Sequence, residues 1–270
     1  MLLTDEGRRL YAAASFSFQH LADTVDELMH GAHPVGISVY TTIAFAYFWL
    51  MPRLPRFRAM FPGMSIQIIS SDEDFDIYKD RCDLAILFGA ASWPGMEAKL
   101  LYQECISAVA SPSYLRRHRE MRTINDITAG TLLHLDDEKR RWVDWPQWLR
   151  RMGAQSTTSG DSLHFNNYPT LLQAAANGQG IALGWHGLIE EHLGKKILVE
   201  VLPSRLVTNE GYYVAHSAAS AMKPEVLALL NWIAAEAKDA GGTGKDLSKP
   251  SDLNSLSAST TRQAKKRRTR

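Results

Sequence analysis

Apolar and polar positions along the chain alternate between the two-residue period of strands and the three- to four-residue period of helices. Strand-like runs lie at 35–39, 64–70, 82–89, 100–111, 131–136, 163–165, 181–185, 197–201 and 211–217. Helical patterns lie at 41–61, 145–153, 168–177, 187–194 and 224–237. The run 82–89, CDLAILFG, is apolar almost throughout, as parallel strands buried on both faces are. Alternating strands and helices predict an α/β fold with an open sheet.

Residues 4–29 form a separate pattern, one long helix that precedes the first strand. Thr4 is a favourable N-cap, and no proline follows until Pro34. Small or apolar side chains recur at three- and four-residue steps along one narrow stripe. We predict from it a dimer seam at Leu10, Ala14, Leu21, Val25 and Leu28. Packing of this helix on its own domain is the alternative.

Charge changes the picture only at the C-terminus. The formal net charge of the chain is +1, but residues 241–270 contain eight Lys or Arg against two Asp. This segment is rich in Gly, Ser and Thr, so it is predicted to be a disordered basic tail. The tail either remains solvated or touches nucleic acid without sequence preference.

Cysteine use and the absence of long apolar runs indicate the compartment. Cys82 and Cys105 are the only cysteines, and both lie in apolar runs, as free thiols of a reducing cytoplasm do. No stretch approaches the roughly 20 apolar residues that a membrane span needs. We expect a cytoplasmic protein with no membrane partner.

The glycine-rich segment QAAANGQGIALGW, residues 173–185, resembles a phosphate-binding loop only superficially. A dinucleotide loop follows a strand and opens a helix, whereas here a helix ends and a strand begins. We interpret Gly178 as the left-handed residue that closes the helix, and Gly180 as part of the turn. Gly184 lies late in the strand, where bare backbone is expected to face a ligand.

Catalytic signatures are missing from the sequence. It contains no G-x-S-x-G, H-E-x-x-H, C-x-x-C or P-loop motif, and HLDDEK at 134–139 is best interpreted as a solvated loop. We therefore predict no catalytic residues, no metal site and no cofactor, and expect that the protein is not an enzyme. An enzyme remains possible only through groups that converge from distant segments.

Polar residues gather instead where strands end. Thr41 and Thr42 follow the first strand, and Asn166 and Asn167 follow the strand at 163–165. Each pair precedes a helix, and helix N-termini supply unpaired N–H donors for an anion. Either these residues line a common cleft, or they only cap their own helices.

Several of these segments together resemble one known family. The blocks LTDEGRRLY, FWLMPRLPRFRAMFPGMSIQI, DLAILFGAASWPGMEAKLL, LLHLDD, WPQWL and LQAAANGQGIALGW occur in the order and spacing of LysR-type transcriptional regulators. The resemblance covers about residues 2–237. It is strongest to the branch that contains the glycine-cleavage activator and the regulators of choline-sulfate use.

The resemblance implies a linker helix followed by a two-lobed, periplasmic-binding-protein-like (type II) effector domain. Residues 1–30 would hold the wing remnant and linker helix, 31–112 plus 211–240 lobe I, and 113–210 lobe II. It further implies a homodimer or homotetramer that senses a small molecule between the lobes. Members carry a DNA-reading helix before LTDEGRRLY, so promoter DNA is an expected partner only where that domain is present.

The resemblance also implies which residues line the effector cleft. They are Tyr40, Thr41, Thr42, Phe88, Gly89, His134, Asn166, Asn167 and Trp185. The effector is expected to be anionic, an amino acid or a quaternary amine. Trp185, Tyr40 and Phe88 either form a partial aromatic box for a quaternary ammonium or simply pack in the core. A solute-binding protein of the same two-lobed fold is the alternative function.

Overall fold

The computed structural model describes residues 36–75, 82–137, 142–154, 160–217 and 223–239, with seven single positions between 4 and 25. Its strands are β1 (Gly36–Thr41), β2 (Ser65–Ser70), β3 (Leu84–Gly89), β4 (Met96–Ala110), β5 (Leu132–Leu135), β6 (Ser162–Phe165), β7 (Ala182–Trp185) and β8 (Val199–Ser217). Its helices are α1 (Ile43–Phe45), α2 (Met51–Met60), α3 (Pro112–Arg117), α4 (Ile124–Ile127), α5 (Trp145–Arg151), α6 (Tyr168–Ala176), α7 (Glu190–Gly194) and α8 (Pro224–Asp239). The predicted tail at 241–270 lies outside the described residues. Between 35 and 237 the predicted order of strands and helices is confirmed, apart from the single strand β8 and the short helix α4, which was not predicted.

The strands form one large sheet and one separate pair, and the two long strands β4 and β8 both lie in the large sheet. A six-stranded sheet has the order β2-β1-β3-β8-β4-β7, and β5 and β6 form a parallel pair. An isolated parallel bridge between Leu132 and Ile181 brings that pair beside the residue before β7. The last part of β8 pairs with β3 and the first part of β4, whereas the last part of β4 pairs with β7 and the first part of β8. The lobe boundaries at 112/113 and 210/211 stay predictions.

The strand β8 corrects one expectation. The sequence predicts separate strands at 197–201 and 211–217, but the structure has a single strand, Val199–Ser217. Pro203 lies between the pairs Glu200–Val109 and Arg205–Ser107, where the register with β4 shifts. Because proline cannot donate to a ladder, an irregular stretch is where a strand tolerates it. The ladder therefore continues past a residue that is normally a strand breaker.

The predicted helix at 41–61 is present but is not uniform. A π-helical segment, Ala46–Leu50, joins α1 to α2. Pro52 lies in the first turn of α2 and lacks an N–H to donate, which accounts for the irregularity directly before it. This segment buries Trp49 fully, and its indole Nε1 donates to the Tyr102 hydroxyl on β4 over 2.6 Å. This hydrogen bond fixes the helix to β4, one of the two long strands of the large sheet.

The glycine segment is confirmed as a helix-to-strand connection. Gly178 follows α6 with φ of +77°, a left-handed value that favours glycine. Gly184 corrects an expectation, because a Cβ there would lie 2.7 Å from Ile189 Cδ1 and 3.0 Å from Val109. The missing side chain therefore admits core atoms and does not face a ligand.

A buried ionic network joins β4, β7 and β8. His186, directly after β7, is only 5% exposed, and its Nε2 lies 3.0 Å from Ser107 Oγ and 3.3 Å from Glu200 Oε1. Its Nδ1 lies 3.3 Å from Glu190 Oε1. Arg205 donates to both oxygens of Glu200, over 2.8 and 3.1 Å. Each charged group in the network therefore has a partner of opposite charge.

Two groups of this network have shifted pKa values. Burial alone would lower the pKa of His186, but hydrogen bonds to Glu190 and Glu200 outweigh it and raise that pKa. Burial alone would raise the pKa of Glu200, but hydrogen bonds to His186 and Arg205 lower that pKa to about 2. The stabilisation from Glu200 is present above its ordinary pKa and is lost as the pH falls towards 2. The stabilisation from His186 is present below its ordinary pKa and is lost as the pH rises through the raised value.

We expect His186→Gln to reduce the free energy of unfolding near pH 6 by on the order of 1 kcal/mol, with a smaller reduction at pH 8. The reason is that only the imidazolium contributes the charge-dependent part of the network. Urea unfolding of both proteins across this range gives the difference directly. His118→Gln, at a partly exposed imidazole, serves as the control and should follow the parent protein. An equal loss at both pH values would contradict the charged state assigned to His186.

Candidate functional site

A pocket of about 300 Å³, including the part open to solvent, lies among α1, β5, α6, β7 and β8. It is lined by Ala44, Asp72, Leu135, Trp142, Tyr168, Trp185, Leu188 and Tyr212. Three of these residues belong to the predicted lobe I and five to the predicted lobe II. The arrangement suits a small ligand that touches both sides.

Half of the residues that line the pocket are aromatic. The Trp142 and Trp185 ring centroids are 6.1 Å apart with an interplanar angle of 79°. Tyr168 packs against Trp185 at 5.2 Å and 86°, and Tyr212 lies 6.4 Å from Trp142. Phe88 packs against Trp142 at 4.5 Å. Trp185 thus meets Trp142 and Tyr168 nearly at right angles, whereas Trp142 is tilted by 41° against Phe88 and by 32° against Tyr212.

A buried carboxylate, that of Glu104, orients the indole of Trp185. The indole Nε1 donates to Glu104 Oε1 over 2.8 Å, and the Thr208 hydroxyl donates to Glu104 Oε2 over 2.6 Å. Glu104 is 3% exposed, and burial raises its pKa despite the two hydrogen bonds. These contacts connect β7 to β4 and β8 and set the angle of the indole.

Both tyrosine hydroxyls at the pocket have partners within the protein. The Tyr168 hydroxyl donates to the Leu183 carbonyl and accepts from the Trp185 N–H, each over 3.2 Å. The Tyr212 hydroxyl hydrogen-bonds to the Thr42 side chain. Burial raises the pKa of both phenols strongly, so they remain neutral.

The start of α1 is occupied by side chains of this protein. Thr42 is the N-cap, and its Oγ1 accepts from the Phe45 N–H over 3.2 Å. Asp72, just after β2, accepts from the Ile43 N–H over 3.1 Å through Oδ1. The Ile43 and Phe45 N–H groups at this helix start therefore already have acceptors within the protein.

A second pocket of about 270 Å³ adjoins the first, since Leu135 and Trp185 line both. His134 lies in it and stacks on His164 with centroids 4.7 Å apart. Burial and the neighbouring His164 lower the pKa of His134. Asp144 also lines this pocket, although its carboxylate caps α5 by accepting from the Gln147 N–H over 2.7 Å.

The structure brings several sequence-predicted residues to this region. Trp185 lines both pockets and His134 the second. Phe88 packs against the wall residue Trp142, and the Thr42 side chain hydrogen-bonds to the wall residue Tyr212. Asn167 caps α6 by accepting from the Thr170 N–H over 3.1 Å. The sequence left open whether Asn167 lines the cleft or caps its own helix, and this hydrogen bond is such a cap.

Other predicted residues lie away from the pocket lining. Tyr40 packs with Phe75 at 4.8 Å in a small cluster separate from the main core, and its hydroxyl donates to the Glu73 carbonyl. Thr41 is fully buried, and its Oγ1 has no hydrogen-bond partner among the described residues. Gly89 lies beside Trp93. Asn166 is exposed.

The sequence did not single out most of the pocket wall. Asp72, Trp142, Tyr168, Leu188 and Tyr212 were all missed as site residues. Tyr168 directly follows Asn167, and Asp72 follows the end of β2, so their positions at strand and helix ends were visible signals. Trp142 lies in an irregular segment, and Tyr212 lies within a strand, so neither carried such a signal.

Within the parts of the chain that the structure describes, no group of three or more His, Cys, Asp or Glu is placed to hold a metal ion. Over the same residues, no helix is long and apolar enough to cross a membrane.

Comparison with known proteins adds independent information. Residues 36–238 match the protein family described as the LysR substrate binding domain. The glycine cleavage system transcriptional activator of Escherichia coli is 30% identical over 237 residues, covering 88% of this chain and 76% of that protein. The transcriptional activator AmpR of Pseudomonas aeruginosa is 24% identical over 234 residues, covering 86% and 76%.

Solved structures share the fold. The effector domain of AmpR from Pseudomonas aeruginosa aligns with a TM-score of 0.63 at 24% identity, covering 77% of this chain and 98% of that one. The AmpR effector binding domain from Citrobacter freundii aligns with a TM-score of 0.62 at 19% identity, covering 76% and 100%. The predicted two-lobed α/β effector domain is thereby confirmed as the fold.

We expect Thr42→Val to lower the free energy of unfolding by about 1 kcal/mol, because the N-cap of α1 and the hydrogen bond to Tyr212 are both lost. Urea unfolding measures the change. Thr42→Ser keeps the hydroxyl and is the matched control, with most of the stability retained. Equal losses in both variants would show that the methyl group matters and the hydroxyl does not.

Proposed function

This chain belongs to the LysR family of transcriptional regulators, and we propose that its pocket binds a small-molecule effector reversibly. The effector domain at 36–238 carries the pocket. Binding changes the relation between the two lobes, and the assembled regulator conveys that change to promoter DNA in the cytoplasm. Relatives named as transcriptional activators support this proposal.

The observation that carries the proposal is that the pocket is lined from both sides. Asp72 and Tyr212 face Trp142 and Trp185 across it. A ligand that contacts both sides binds the closed arrangement better than an open one, because only the closed arrangement offers all contacts. Such differential affinity is what shifts a conformational equilibrium.

The chemistry of the wall supports a sensor over an enzyme. The polar hydrogen of Trp185 and the tyrosine hydroxyls are committed to internal hydrogen bonds. Ser107 and His186 form a hydroxyl–imidazole pair at 3.0 Å, but Ser107 is fully buried and neither residue is among those that line the two pockets. A nucleophile that no substrate can reach does not support turnover.

The N-terminal helical positions support self-association. Tyr11, Phe18, Leu21 and Val25 are helical and follow one another at spacings of seven, three and four residues. Each is more than half exposed, from 54% at Val25 to 73% at Phe18. Large apolar side chains repeated on one helix face favour burial against a second helix. We propose a homodimer or homotetramer paired through this face, with Ala14 on the same stripe; Leu10 and Leu28 of the predicted seam lie outside the described residues.

Effector binding is tested by a thermal-shift screen of small carboxylates, amino acids and quaternary amines. We expect at least one class to raise Tm, because a ligand that binds only the folded state stabilises it. Trp142→Leu should weaken the binding at least about tenfold. Trp93→Leu, at another half-buried indole outside the pocket, should bind normally. NMR that recovers the ligand as a new compound would indicate an enzyme instead.

Pairing through the helix is tested by Leu21→Arg combined with Val25→Arg. We expect sedimentation velocity to show a smaller species, because two buried arginines without partners oppose helix pairing. Leu163→Arg, at an apolar residue exposed on β6, should leave the assembly unchanged. If the double variant sediments like the parent protein, the stripe is not the interface.

A further inference from the structure

We propose that Glu104 is a positioning residue through which a bulge at residues 208–210 of β8 controls the angle of the Trp185 indole at the pocket. This inference rests on the proposed effector-binding function and adds a way to regulate that site from residues that do not line it. Three observations lead to it: the place of Glu104 opposite the bulge, a directed chain of hydrogen bonds, and the burial of the carboxylate.

The bulge lies directly opposite Glu104. Between two successive register pairs, β4 contributes one residue, Glu104, and β8 contributes three, 208–210. Surplus residues in one strand bend it and re-aim nearby side chains, and such bulges often lie beside functional sites. The Gln103 side chain holds this bulge, because its Nε2 donates to the Thr208 carbonyl over 2.8 Å. The irregular part of β8 is therefore fixed to β4 at the residue beside Glu104.

The hydrogen bonds between the bulge and the pocket run in one direction. The Glu210 N–H donates to Thr208 Oγ1 over 3.1 Å, and the Thr208 hydroxyl donates to Glu104 Oε2 over 2.6 Å. The other carboxylate oxygen, Oε1, accepts from the Trp185 Nε1–H over 2.8 Å. Because a carboxylate is planar and such charge-assisted bonds are directional, a shift of Thr208 turns the carboxylate and moves the acceptor of the indole. The angle of the indole therefore depends on the position of Thr208.

The carboxylate of Glu104 is buried at a cost to stability. Glu104 is 3% exposed; burial raises its pKa, and the carboxylate of Glu210 on the bulge adds to this effect. The hydrogen bonds from Thr208 and Trp185 and the charge of Arg151 act in the opposite direction without reversing it. An amide or an apolar side chain at this position would avoid the cost of burying a charge. The carboxylate is better explained by its two hydrogen bonds, to the pocket wall and to the bulge, than by stability.

NMR of protein with 15N-labelled tryptophan tests the control by the bulge, with the Trp185 resonance assigned from its loss in Trp185→Phe. Thr208→Val removes the hydroxyl bond to Glu104 at a residue that is not among those lining the two pockets. We expect the Trp185 Nε1–H to shift and to exchange with solvent at least about tenfold faster, because the carboxylate is no longer held. Thr208→Ser keeps the hydroxyl and should restore the parent spectrum and exchange rate. If Thr208→Val matches the parent protein in both, the bulge does not control Trp185.

A pH titration of the parent protein tests the chain of hydrogen bonds without altering its members. Protonation of Glu104 changes both of its hydrogen bonds at once, so the Trp185 indole N–H and the Glu210 amide N–H should share a transition above the ordinary pKa of glutamate. Glu104→Gln cannot ionise and should remove that shared transition. A transition at Trp185 with no counterpart at Glu210 would overturn the chain, even if the Thr208 variants do not fold.

Calorimetry with acetate, glycine and choline, one probe from each class of the screen, tests the consequence for the pocket. A probe that binds the parent protein should bind Thr208→Val at least about fivefold more weakly, the low end of typical coupling between sites, and Thr208→Ser normally. Equal affinities in all three proteins would overturn the role of Glu104 at the pocket. If none of the probes binds the parent protein, the proposed function fails for these classes, and the NMR experiments decide the inference by themselves.

Discussion

The antiparallel pairing of β4 with β8 is the constraint on which the rest of the structure depends. Within the six-stranded sheet β8 pairs with β3 and β4 pairs with β7, so these two strands join the two ends of the sheet, and their ladder runs from Met96–Ser217 at one end to Ala110–Val199 at the other. Register shifts interrupt the ladder in its middle, where a straight pairing would otherwise continue. Side chains of β4 reach the principal features of the molecule: Tyr102 contacts the helix at Trp49, and Glu104 orients Trp185. The position of the pocket follows from these contacts.

The ionic network around His186 and the aromatic pocket share the same strands. Ser107 and Glu104 are both on β4, and Arg205 and Thr208 are both on β8. Consecutive strand residues face opposite sides, so one pair of strands can support a charged network and an aromatic wall at the same time. Burying charges is costly unless they are paired, and the pairing here fixes the register of the two strands where they shift.

The fold was predictable from the sequence to a large extent because it depends on periodicity, which is a local property. The strands at 84–89 and 182–185, the helix at 168–176 and its closure at Gly178 all lie where the pattern indicates. The continuous strand β8 was not predictable, because its residues around Pro203 are held in line by β4 and not by their own preferences. Tertiary pairing overrides local signals in such cases.

The site was less predictable because it assembles residues that are distant in sequence. Trp185 was identified from the family resemblance, but the aromatic partners expected for it were Tyr40 and Phe88. Tyr40 belongs to a small apolar cluster that is separate from the main core, which contains Trp185. Neighbouring residues of a strand alternate between the two faces of the sheet, so Tyr40 faces away from the main core. Asp72 is chemically ordinary in the sequence and becomes informative only once its carboxylate is seen at the start of α1.

The location of Trp142 also gives the protein an intrinsic optical probe. This half-buried indole packs against Phe88 at 4.5 Å and near Tyr212 at 6.4 Å, both from the opposite side of the pocket. When the two sides separate, the indole exchanges these rings for water and its emission moves to longer wavelength. Because the chain has seven tryptophans, the difference in steady-state emission between the parent protein and a Trp142→Phe variant isolates this indole and can follow such a separation.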